Sequence, residues 1–205
     1  MKNTILLLTT LVSLVFSVCA HAEFLPKSFQ AEFEQEYVST LKGKVKKGSG
    51  TIDYHYPGKI RFKTTLPSEI LFVSNGLKSW YYRAPFIDGE EGEVTETSAK
   101  DGSGIFTRFF DSLIHGLENN SMYTVSKSEK ECKVVFLEKA GKETGISEAL
   151  IKFNKSTQEF SGVQSIELVF PDKKRSTIKL KNIKINPTLG EKIFDFIIPP
   201  KTKKL

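Results

Sequence analysis

Asp111, Ser112 and His115 are the side chains in this sequence whose types resemble a hydrolytic centre. A serine activated by a histidine and oriented by a carboxylate attacks acyl carbons. The spacing argues for something plainer. No G-x-S-x-G turn is present to expose a serine. Asp111 and His115 stand four apart in a helical stretch, where opposite charges meet as a surface ion pair. His55 sits in a β-alternating stretch and reads as a strand residue. Cys132 alternates with Val134 and Phe136 and reads as a small buried hydrophobe. Asp88, Glu90, Glu91, Glu93 and Glu96 lack the D-x-D-x-D-G order of a calcium loop and read as a solvated hairpin. The histidines are His21, His55 and His115, too scattered for a zinc ligand set. A glycine-rich phosphate loop is also missing. The sequence therefore names no catalytic residue, metal or cofactor. It reads as a protein that binds, not an enzyme.

What it binds is suggested by an apolar stripe. Ile105, Phe109 and Leu113 are four apart, as are Phe106, Phe110 and Ile114, and Leu117 continues the face. The spacing predicts an amphipathic helix of about 14 residues. Ser103 is its candidate cap, and Gly116 or Asn119 its stop. Such a helix either packs a core or roofs an apolar cavity. Gly89, Gly92, Gly102 and Gly104 let the preceding acidic and Ser-rich stretch rotate, which favours a movable cover.

The elements around this helix read as strands. Phe29, Ala31, Phe33, Gln35 and Tyr37 fall on one face, and Ile60 and Phe62 oppose Lys59, Arg61 and Lys63. Pro57-Gly58 is a turn, and Asn75-Gly76 marks a tight hairpin returning through Trp80, Tyr81 and Tyr82. Strand patterns resume at 122–126, 132–137, 149–153, 162–170, 177–185 and 193–198. So many short strands with one helix predict a large curved antiparallel sheet with a greasy inner face.

The chain has 205 residues, with 30 Lys and Arg, 24 Asp and Glu, and 16 Phe. This suits an ordinary globule and excludes a disulfide scaffold. Residues 1–22 carry Lys2, an apolar core and Ala20-His21-Ala22, the order of a cleaved export signal. That core is shorter than the roughly 20 residues of a membrane span. The expectation is an exported, soluble protein with one domain over 23–205. Two basic groups, Lys42, Lys44, Lys46 and Lys47, then Lys201, Lys203 and Lys204, read as a solvated loop and a frayed tail. The alternative for them is steering toward anionic surfaces. Nucleic acid is not an expected partner.

These pieces together resemble the periplasmic outer-membrane lipoprotein carrier family, the LolA family. The resemblance rests on Phe29-Gln30-Ala31-Glu32-Phe33-Glu34-Gln35, Gly48-Ser49-Gly50 and Tyr56-Pro57-Gly58-Lys59-Ile60-Arg61-Phe62. Pro67, Ile70-Leu71-Phe72-Val73-Ser74-Asn75-Gly76, Trp80-Tyr81-Tyr82 and Phe194-Asp195-Phe196-Ile197-Ile198-Pro199 complete it. It implies a mainly β fold, an unclosed antiparallel barrel of about eleven strands with an internal helical lid over a hydrophobic cavity. It implies a monomeric carrier without cofactor. Such a carrier takes lipidated proteins from an inner-membrane ABC lipoprotein-releasing complex, shields their acyl chains across the periplasm and delivers them to an outer-membrane lipoprotein receptor. The residues expected to line the cavity are Phe33, Tyr54, Ile60, Phe62, Phe72, Trp80, Phe106, Phe109, Phe110, Leu113, Ile114 and Leu117.

Two departures qualify the resemblance. Family members often carry Arg before the turn proline, holding the lid closed; here the lid-closure position is Tyr56, which has no charge and no fork. The family's helix before the first strand is reduced to 23–28. These departures motivate an alternative, a related lipid-binding or envelope stress-sensing module with another lipid ligand.

Overall fold

The computed structural model describes residues 23–38, 45–87, 89–98 and 104–205. The signal-like segment, Lys42, Lys44, Asp88 and Ser103 lie outside the described residues. Twelve strands form a single sheet, with strand order β12-β6-β5-β4-β3-β2-β1-β11-β10-β9-β8-β7. Its two margins, β12 and β7, are not paired with each other, so the barrel is unclosed.

The first half is a meander: β1 Ser28–Val38, β2 Val45–His55, β3 Lys59–Leu66, β4 Ile70–Asn75, β5 Lys78–Arg83 and β6 Gly92–Ser98. Alternation sets its faces. Phe29, Ala31 and Phe33 are buried toward the concave side, while Glu32 and Glu34 face water. Gly50 is required by close approach: a Cβ there would lie 1.8 Å from the Lys63 carbonyl oxygen, where the β2–β3 register shifts. The β4–β5 turn is centred on Gly76 (φ +86°) and Leu77, with the Asn75 side chain accepting from the Leu77 and Lys78 amides. Only Gly76 of these needs positive φ, so the tight turn lies one residue later than Asn75-Gly76 suggests.

Helix α1 then spans Ile105–Ser112, and a 3-10 turn, Leu113–His115, ends at Gly116 (φ +79°). The regular helix is shorter than the stripe predicts because the last turn tightens. Next come β7 Tyr123–Lys127, β8 Glu131–Phe136, helix α2 Glu138–Thr144, β9 Glu148–Phe153, β10 Val163–Val169 and β11 Arg175–Ile185. Helix α2 leaves no clear periodic pattern in the sequence. It has seven residues and contains Gly141, so its pattern is too short to register; Ala140 and Thr144, four apart, bury its one apolar edge.

The carboxyl-terminal region departs most from expectation. Residues 193–198 are not a strand: a 3-10 turn, Glu191–Phe194, leads into irregular chain. The Lys-rich tail is no frayed end, because Thr202–Lys204 form β12, parallel to β6 at the sheet margin.

Candidate functional site

Phe106, Phe109, Phe110 and Leu113 occupy helical positions i, i+3, i+4 and i+7, so one face of α1 points into the concave sheet. Phe109, Phe110 and Leu113 are 0%, 1% and 0% exposed, which makes the helix part of the core, not a loose cover. Phe110 meets Phe29 edge-on at 5.0 Å and Tyr54 at 5.5 Å between ring centroids. Phe106 stacks flat on Phe62, 4.8 Å apart, and Phe62 leans on Phe33 at 4.3 Å. Such pairs add about 0.5–1.5 kcal/mol each beyond their burial.

The interior is thus not the empty chamber the sequence suggests. The helix's own side chains fill its middle, and room remains at the flanks of the helix. One groove of about 520 Å³, walled by Phe62, Ile70, Phe72 and Tyr81, runs along one side of Phe106. A second, also about 520 Å³, lies on the other side between Ile105, Phe170 and Pro171. At the opposite end of the helix, Ile114 lines a wetter recess of about 620 Å³ with Phe24, His115 and Phe160. Gly104 lets the helix start approach β4, since a Cβ there would sit 2.7 Å from the Phe72 ring.

Near the start of α1, Arg108 Nε donates to the Thr144 carbonyl at 3.4 Å, and shorter polar contacts hold the far end of the helix. The Tyr54 hydroxyl donates to Asp111 Oδ1 at 2.6 Å, and the Gly58 amide donates to the same oxygen at 3.1 Å. The Tyr123 hydroxyl donates to the Gly116 carbonyl at 2.6 Å and lies 3.2 Å from that of Ser112. Burial pushes the Asp111 carboxyl above the usual range, and the Tyr54 and Gly58 hydrogen bonds offset part of that rise. Burial and the Asp111 carboxylate both raise the Tyr54 phenol, which keeps it a donor.

Residues 26–197 match the family described as outer membrane lipoprotein carrier protein LolA. The chain belongs to that family. It is similar to an outer-membrane lipoprotein carrier protein of Legionella pneumophila (strain Corby), 29% identical over 85% of this chain and 81% of that one. Identity reaches 40% with one from Vibrio parahaemolyticus, but that match spans 30% of this chain and 29% of the relative's length. A solved LolA superfamily protein from Nitrosomonas europaea shares 12% identity, with TM-score 0.41 over 83% of this chain and 91% of that one.

Within this member of the family, Phe33, Tyr54, Ile60, Phe62, Phe109, Phe110, Leu113 and Leu117 belong to one buried cluster, with Phe72 and Phe106 packed against it. Trp80 does not join them. Along β4 and β5, Phe72 pairs with Tyr81 on the groove side, and Val73 pairs with Trp80 on the other. Trp80 packs with Leu71, Val73, Tyr82 and Val94 under Phe196 and Ile198. Tyr81, its neighbour, is the groove residue that the alternation makes available.

Asp111 also differs from expectation. It forms no surface pair with His115 but faces the β2–β3 turn. The tie it receives comes from Tyr54 and Gly58, on either side of Tyr56, whose ring packs against the core. Phe29, the hub of three ring contacts with Tyr54, Phe110 and Phe160, stands in the same alternation as Phe33 and is equally legible. No helix precedes β1 among the described residues; Leu25, fully buried, and Phe24, against Phe153 and Phe160, plug that end instead. Cys132 is buried, and desolvation lifts its thiol to about 11. Among the described residues no cluster of His, Cys, Asp or Glu is placed to hold a metal ion. No described helix is long and apolar enough to cross a membrane.

Proposed function

We propose that this protein is a periplasmic carrier that shelters the acyl chains of lipid-modified proteins. It receives them from an inner-membrane releasing complex and delivers them to an outer-membrane receptor, with no chemical step. The observation that carries this reading is a helix whose Phe-rich face fills a concave sheet and whose shortest polar ties lie at one end.

Magnitudes support an exchange. An acyl chain of about 16 carbons left in water costs on the order of 12 kcal/mol at roughly 0.8 per CH₂. Burying Phe109, Phe110 and Leu113 at roughly 1.5–3 kcal/mol each, with half-buried Phe106 adding about 1–1.5, stabilises the closed helix by about 6–10 kcal/mol. The two figures are of the same order. A guest chain can replace the helix's side chains near balance, and the protein can later release it.

The test is expression with the export segment alongside the inner-membrane releasing complex, followed by purification and mass spectrometry. Lipid-modified proteins should be recovered with the carrier. Recovery of only unlipidated proteins, or none, overturns this reading.

A further inference from the structure

The two grooves beside the start of α1 share a partition. Gln35, Ile105 and Phe106 line both. The helix start rests over β1, with one groove on the β2–β3 side and the other on the β10–β11 side. The flat stack of Phe106 on Phe62 fixes the partition in place. Both grooves are open while the helix is closed, so filling them displaces neither Phe109 nor Phe110.

The first rim is positively charged, and the second carries ion pairs. The charged residue lining the first groove is Lys46, which has no ion-pair partner among the described residues. The second groove carries Lys174 and Arg175 against Asp172. Lys174 bonds Asp172, and Arg175 bonds Glu167 from outside the groove. Two of the three cations around the troughs are thus paired with carboxylates, and Lys46 is the one with no ion-pair partner among the described residues. A neutral hydrocarbon gains nothing from that rim. An amphiphile with two chains and a negative head fits this arrangement: one chain on each side of Phe106, and the head at Lys46, facing the paired Lys174–Arg175 edge across β1.

We infer that this face of the closed protein binds an anionic two-chain lipid of the diacyl phosphoglyceride class, its chains straddling Phe106. The inference rests on the reading that the interior accepts acyl chains, but it needs no lipidated protein.

The experiment is isothermal titration of the purified mature chain with dioctanoyl phosphatidylglycerol below its micelle concentration. Dioctanoyl phosphatidylcholine and the single-chain octanoyl lysophosphatidylglycerol serve as comparisons. The anionic two-chain lipid should bind at least about tenfold more tightly than either. Lys46→Glu should erase most of the headgroup preference while two-chain binding persists. Phe106→Trp should report the lipid by its emission, because the native Trp80 lies on the other face of the sheet. Equal affinity for both headgroups, equal affinity for one and two chains, or an unresponsive Trp at 106 each overturns the inference. Recovery of lipidated proteins in the separate purification keeps the carrier reading standing if these titrations fail. Failure there with success here removes the carrier reading alone.

Discussion

At the last turn of α1, hydroxyl and amide donors from Tyr54, Gly58 and Tyr123 grip Asp111 and the chain to Gly116. At the first turn, Phe106 rests on the Phe62 ring, with a groove on either side. The balance of forces differs between the two ends: the polar tie near the first turn is the long one from Arg108 to the Thr144 carbonyl, 3.4 Å, against 2.6 Å at the last turn. Apolar contact has no direction, so an alkyl chain can substitute for a ring. A hydroxyl pointed at a carboxylate has no such substitute in hydrocarbon, and separating the pair leaves two buried groups unsatisfied. The helix should therefore lift from its first turn and pivot on its last.

Truncations sharpen this contrast. Phe110→Ala removes a ring that is 1% exposed beside the anchored end and should destabilise the fold by about 3–5 kcal/mol in urea unfolding. Phe106→Ala, half-buried at the free end, should cost about 1–1.5 kcal/mol. Equal losses would break the distinction between the ends. A smaller effect is expected at the tie itself. Asp111→Ala leaves the Tyr54 hydroxyl without its acceptor and should cost about 1–3 kcal/mol. Asp111→Asn keeps an acceptor oxygen and relieves the buried charge, so its stability should stay near that of the parent. Loss in both variants would mean that charge, and not the hydrogen bond, holds the helix.

The subtlest effect is with pH. The closed fold raises the Asp111 carboxyl. The stabilisation that follows is fully present below the carboxyl's unfolded pKa and is lost as pH rises through the folded one. The helix should close more firmly in mild acid than at neutrality. Glu34, Glu96, Glu148, Asp172 and Glu191 are shifted downward by neighbouring lysines and act in the opposite sense. Whole-protein unfolding therefore mixes the two. Amide exchange along 105–112, corrected for intrinsic rates, should slow with acidification in the parent and not in Asp111→Asn.

The sequence displays the sheet and the apolar face of α1 because both obey simple periods. Phe29, Phe33 and Phe62 fall inside by alternation, and Phe109 and Phe110 by helical spacing. Three features escape such rules. Trp80 is large and apolar, yet alternation measured from Phe72 through the β4–β5 turn sends it to the other face. Which face of β5 is inner depends on the turn centring on Gly76 and Leu77, not on hydrophobicity. Asp111 looks like a surface acid on a helix, and only the fold brings Tyr54 and the Gly58 amide to it from more than fifty positions away. The occupied middle of the barrel is hidden for a related reason. A stripe of Phe looks the same whether it lines a void or fills it.

Thr202–Lys204 have a consequence of their own. The outermost strand of an open sheet leaves its amides and carbonyls bare, a docking strip for any extended stranger. Here Thr202–Lys204 of the same chain lie along Gly92–Val94, and the Leu205 amide reaches the Val94 carbonyl at 2.9 Å. It works as a selvedge, finishing the cloth where it would otherwise unravel or be stitched to its neighbour.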